Sequence, residues 1–269
     1  AGRYLATGTV SLGGGRLDVR RPAGYLTRWQ HPQGRRMTIV EDKPIDLPTP
    51  YGPMRCYAYR PSAEGRYPGV VFFSEIFQAT GPVRRSAAFL AGHGYVVAIP
   101  EIFHELMDGP GVVLPYDGPG ADRGNHCKIT KELASYDADA RVCLDFLKSH
   151  PACTGRTGAL GICIGGHLSF RAAFEADCRA AACFYATDIH KRSLGKGMKD
   201  DSLDRIPQIK GELLMIWGRQ DPHIPADGRR LIYDALASAG TAFTWHEFNA
   251  QHAFVRDEGH RYDPELSAA

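Results

Sequence analysis

From Val70 to Phe248 short apolar runs alternate with amphipathic stretches, and this alternation constrains the fold more than any other feature of the chain. Val70–Ser74, Tyr95–Ile99, Gly158–Ile162, Ala180–Tyr185, Glu212–Trp217 and Ala242–Phe248 have the length and apolar content of buried strands. Between them Val83–His93, Lys131–His150, Gly165–Glu175 and Ala226–Ala239 carry apolar residues every three to four positions, the spacing of one helix face. Strand followed by helix followed by strand predicts βαβ units, hence an α/β fold with a mostly parallel central sheet and helices on both faces. Met54–Arg60 alternates as a further strand ahead of this region. Pro100 to Thr130 is rich in Gly and Pro and predicts a surface excursion able to line a site. In such sheets ligands bind beyond the carboxyl ends of the strands, so the residues just past each strand are the candidates for chemistry.

Composition excludes several classes. The 269 residues are 43% hydrophobic and 23% charged, ordinary for a globular chain. A net charge of +2 is too balanced to predict a nucleic-acid partner, and no apolar run reaches the roughly 18 residues of a membrane span. No GxxxxGK[ST] phosphate loop, HExxH or paired CxxC occurs, so neither a metal nor a cofactor is expected. The seven cysteines form no even-numbered framework and read as reduced thiols, which with the missing signal-peptide pattern predicts a cytoplasmic protein. Residues 1–36 carry seven arginines against Asp18 alone, a charge of +6 that leaves −4 for the remainder. We therefore divide the chain into a basic N-terminal arm, 1–44, packed on the body, capping a site or reaching a second subunit, and an α/β body, 45–269. A monomer or small homo-oligomer is expected.

Three strand ends carry residues of one reaction type. After Gly158–Ile162 comes Gly161-Ile162-Cys163-Ile164-Gly165-Gly166, the G-x-C-x-G form of a nucleophile elbow with cysteine in place of serine. The following helix would aim its amides at Cys163 and favour the thiolate; a buried cysteine beside a glycine turn would share the pattern. After Glu212–Trp217 comes Gly218-Arg219-Gln220-Asp221, and after Ala242–Phe248 comes Asn249-Ala250-Gln251-His252. Nucleophile, acid and histidine follow in that chain order, at intervals of 58 and 31 residues. Alone, Asp221-Pro222 reads as a turn and His252 as one of eleven histidines; together they read as a Cys163-His252-Asp221 triad. The same fold template places oxyanion donors on the residue after the nucleophile and on the loop after an early strand.

Those residues, with Ser74-Glu75-Ile76-Phe77 and His252-Ala253-Phe254-Val255-Arg256, resemble the dienelactone hydrolase family of α/β-hydrolases over roughly Ile45 to Arg256. The resemblance implies Cys163 as nucleophile, His252 as base and later acid, and Asp221 as the group orienting His252. It implies backbone amides of Ile76 and Ile164 as the oxyanion hole, and Glu75 as the acid that holds the resting thiol and takes its proton. Arg256 matches a substrate-carboxylate arginine, although Arg256-Asp257-Glu258 also reads as an exposed ion pair, and Tyr185 matches a pocket tyrosine. The family's second carboxylate arginine has no counterpart in Pro100-Glu101-Ile102-Phe103-His104-Glu105; His104 or Arg123 is a candidate to compensate. Only 17 residues follow His252, where the family places a terminal helix. The expected partner is a small-molecule ester or lactone, carboxylated in the family's case. A broader thiol esterase, a carbon–carbon hydrolase or a non-catalytic binding member stand as alternatives.

Overall fold

The computed structural model describes residues 39–268. The basic arm lies outside the described residues up to position 38. Residues 39–41, placed with the arm by the sequence, form a strand of the sheet: β1 (Ile39–Glu41) pairs antiparallel with β3 (Gly52–Pro61). β2 (Ile45–Thr49) pairs with the other half of the same β3 edge, Ile45 facing Cys56 and Thr49 facing Gly52. β1 has three residues and β2 contains Pro48, so neither shows the alternation by which β3 is recognisable.

The remaining strands are β4 (Tyr67–Phe73), β5 (Val96–Pro100), β6 (Cys153–Ile162), β7 (Cys178–Phe184), β8 (Glu212–Gly218) and β9 (Phe243–Phe248). The nine-stranded sheet runs β1-β3-β5-β4-β6-β7-β8-β9, with β2 on β3. Pairing is parallel from β5 through β9 and antiparallel wherever β3 takes part. The helices are α1 (Gly81–Gly92), α2 (Gly118–Thr130), α3 (Leu133–Ser149), α4 (Ile164–Ala172), α5 (Ala226–Ser238) and the short α6 (Pro264–Ser267). This is the α/β-hydrolase architecture, with helices on both faces of a mostly parallel sheet. The apolar stripe of α3 read from the sequence is the buried one: Tyr136, Ala140, Cys143, Leu144 and Leu147 face the core. Among the described residues no helix is long and apolar enough to cross a membrane.

α2 lies inside the stretch read as an irregular excursion. It buries Gly120, Gly124 and Cys127 rather than large apolar side chains, so it shows no hydrophobic period. The cause is close approach: a Cβ on Gly124 would stand 2.5 Å from the Ile76 carbonyl oxygen. The missing side chain lets α2 press on the loop after β4.

Candidate active site

Strand register brings the candidate residues together. β4 and β6 are paired as far as Phe73 and Gly161. Glu75 and Cys163, each two residues further on, therefore emerge side by side. β8 and β9 are paired to Gly218 and Phe248, and their loops are tied by the Arg219 amide donating to the Phe248 carbonyl (2.7 Å) and the Gln220 amide to the Ala250 carbonyl (2.9 Å). Asp221 and His252 follow immediately.

Cys163 has φ 60° and ψ −123°, a conformation that non-glycine residues rarely adopt and that active sites retain when the surroundings over-determine it. Its amide donates to the Phe184 carbonyl of β7 (3.1 Å), and its carbonyl accepts from Gly166 (3.0 Å). The flanking glycines are obligatory. A Cβ at Gly165 would lie 2.1 Å from the Phe73 carbonyl oxygen, and one at Gly161 would lie 1.9 Å from the Gly165 carbonyl oxygen. All seven cysteines are free, and Cys163 is the one that is not buried.

His252 Nδ1 stands 2.6 Å from Asp221 Oδ2, with both side chains buried. Asp221 Oδ1 accepts the His223 amide at 2.8 Å, which fixes the carboxylate plane. The imidazole also stands near Cys163 in the same cavity, close enough for the sulfur to act on its charge. Burial opposes charge on His252, but negative charge at Cys163 and the bond to Asp221 outweigh it and push the imidazole up to about 10. The ring is held by Tyr185 (centroids 5.0 Å apart) and His223 (4.6 Å). Tyr185, a candidate for the substrate pocket, is fully buried behind His252.

Cys163, His252, Glu75, Ile76 and Arg256 line one cavity of about 450 Å³ at the carboxyl ends of the strands. A groove of about 540 Å³ at the opposite ends, beside Arg60 and His150, contains none of them. Burial pushes the Glu75 carboxyl up, and Arg256, His252 and Tyr116 pull it partly back. Arg256 Nη1 lies 3.5 Å from Glu75 Oε1, and its guanidinium lies 4.2 Å above the Tyr116 ring centre. Tyr116 donates to Glu75 Oε2 at 3.3 Å. Ile164 is the first residue of α4, whose amide has no intrahelical acceptor, and the Ile76 amide makes no backbone hydrogen bond among the described residues.

His104 and Arg123 lie outside this cavity. His104 turns inward: Nε2 reaches Asp139 (3.1 Å) and Glu105 (3.0 Å). Lys131, fully buried, bonds Asp139 at 2.7 Å and also Glu105. Three potential metal ligands thus converge, but the Lys131 ammonium already supplies the compensating charge between the two carboxylates. Arg123 reaches the Leu106 carbonyl (3.3 Å) and Asp108 on the surface. The cavity instead takes in Tyr116, Lys128, Lys191, His223 and Arg261, none of which the sequence singled out. His223 carried one signal, its position two residues past Asp221.

Residues 54–269 match the family described as "Dienelactone hydrolase family". A Saccharomyces cerevisiae protein described as "Putative carboxymethylenebutenolidase" is 46% identical over 223 residues, covering 79% of this chain and 81% of its own. The "Carboxymethylenebutenolidase" of Pseudomonas sp. strain P51 is 28% identical over 206 residues, covering 76% and 81%. A solved Klebsiella pneumoniae structure described as "Putative Dienelactone Hydrolase" superposes with TM-score 0.74 at 22% identity, over 86% of this chain and 94% of its own, and shares the fold.

Proposed function

The chain belongs to the dienelactone hydrolase family, and on that premise we propose that it hydrolyses an activated carboxylic ester or enol-lactone through a thioester on Cys163. The observation that carries this reading is the continuous line from Asp221 through His252 to a cysteine held on a strained elbow.

In the proposed reaction the Cys163 thiolate attacks the ester carbonyl carbon. A carbon–sulfur bond forms, and the carbonyl electron pair moves to oxygen, facing the Ile76 and Ile164 amides. The pair returns, the carbon–oxygen bond breaks, and the departing oxygen takes the His252 proton. A water then attacks the thioester carbon, giving its proton to His252, and the carbon–sulfur bond breaks, which releases the carboxylic acid and regenerates the thiolate. Asp221 holds the imidazole tautomer and its positive form. Glu75, its carboxyl pushed up by burial, exchanges a proton with the thiol at rest, and Arg256 offers a planar fork to a substrate carboxylate.

Sulfur narrows the substrate. The intermediate must expel oxygen rather than the thiolate, whose conjugate acid has pKa about 8.5. A simple alkoxide, with a pKa near that of water at about 15.7, leaves far less readily. An enolate or phenolate of pKa about 10 competes. Hydrolysis of phenyl or enol esters should therefore exceed that of ethyl esters of the same acid by orders of magnitude. Iodoacetamide should abolish aryl-ester turnover with one alkylation at Cys163, and substrate should slow that alkylation. Turnover that survives complete alkylation of Cys163 contradicts the assignment.

A further inference from the structure

The cations around the cavity are not equally engaged. Lys128 is neutralised by Asp188 at 2.8 Å, and Arg256 faces Glu75 at 3.5 Å. Glu258, which lies between the two arginines in sequence and lines the same cavity, is held by Arg85 at 2.9 Å. Arg261 and Lys191 line the same cavity without an acidic partner among the described residues. Arg261 Nε is moreover buried with no acceptor. A buried N–H left unpaired carries its full desolvation cost, which an incoming anion would remove.

Placement adds to this. The loop from Phe254 to Asp263 is closed by the Asp263 amide donating to the Phe254 carbonyl at 2.9 Å, and it presents both arginines to the cavity. Arg256 sits on the flank of Glu75 and Tyr116. Arg261 sits near His223, whose ring packs 4.6 Å from that of His252. The two arginines thus reach one cavity in different company, Arg256 with Glu75 and Tyr116 and Arg261 with His223.

We propose that Arg261 and Lys191 form a second anion subsite, so that the substrate is an activated ester or lactone bearing two carboxylates, one met by Arg256 and the other by this pair. The inference deepens the hydrolase reading above and rests on it. A fork of donors beside a mobile ammonium suits a carboxylate whose orientation is set by the arginine.

The test uses three aryl esters of matched length, carrying no, one and two carboxylates. In the wild type kcat/KM should rise with each carboxylate. Arg261→Met should lower the ratio of kcat/KM for the doubly charged ester to that for the neutral ester by about tenfold, the size of one charged hydrogen bond, and Arg261→Lys should restore part of it. Arg256→Met should lower the ratio of singly charged to neutral ester. An Arg261→Met enzyme whose charged-to-neutral ratio is unchanged overturns the subsite. If the wild type turns over none of the esters, the hydrolase reading fails separately, and the subsite is read by protection of the Cys163 thiol against iodoacetamide. Glutarate should then protect better than butyrate, and Arg261→Met should erase that difference; equal protection by the two acids overturns it.

Discussion

Cys163→Ala is expected to lower kcat/KM for an activated aryl ester by about 10⁴-fold or more, with an unaltered circular dichroism spectrum and melting curve. The size follows from chemistry: without sulfur no thioester forms, and the remaining His252 and backbone amides can only assist direct attack by water. The fold should hold because the elbow is fixed by its backbone bonds to Phe184 and Gly166 and by the closeness of Gly165 to Phe73, none of which involves the thiol. Steady-state rates and melting curves on the same preparation decide it. A folded variant that keeps more than about one per cent of the rate would move the reaction away from the elbow.

Asp221→Asn should cost about 10³–10⁴-fold in kcat. Asparagine is nearly isosteric, so the His223 amide can still find its acceptor, but the charge that favours the imidazolium is lost. The sign of the pH effect follows. His252 is raised to about 10, so its proton is available for the leaving group below that pH and is lost above it. The wild-type rate should therefore fall as pH rises through about 10, as an apparent value belonging to the coupled Cys163–His252 pair. In Asp221→Asn the same limb should appear at lower pH. An Asn variant with an unmoved alkaline limb and a nearly intact rate would remove Asp221 from the triad.

Much of this geometry was legible because parallel sheets expose function at strand ends. Cys163, Asp221 and His252 could be placed from the strands that precede them, since a strand of apolar residues ending at Ile162, Gly218 or Phe248 leaves little freedom for the next few positions. Glu75 could be placed for the same reason, two residues beyond Phe73. α2 was hidden because it packs through Gly120 and Gly124, which give no hydrophobic period. β1 and β2 were hidden by brevity and by Pro48. His104 was misleading because residue type and position suggest a pocket, whereas Lys131, Glu105 and Asp139 draw the ring into a buried charge cluster that no local pattern reveals. Tyr116, Lys128 and Arg261 come from segments without periodicity, and only the folded arrangement shows that they face Cys163 across one cavity. Arg256 was ambiguous in sequence between substrate and surface; its acidic neighbours Asp257 and Glu258 turn out to bind Arg85, which frees its guanidinium for the cavity side.

The most direct test mixes the enzyme with an aryl ester for a few milliseconds, quenches in acid and measures the mass of the peptide containing Cys163. The account predicts a burst of released phenol matched by one acyl group on that peptide, attached at sulfur and removed by hydroxylamine. Phenol release with an unmodified Cys163, or an acyl group found on another side chain, would contradict it.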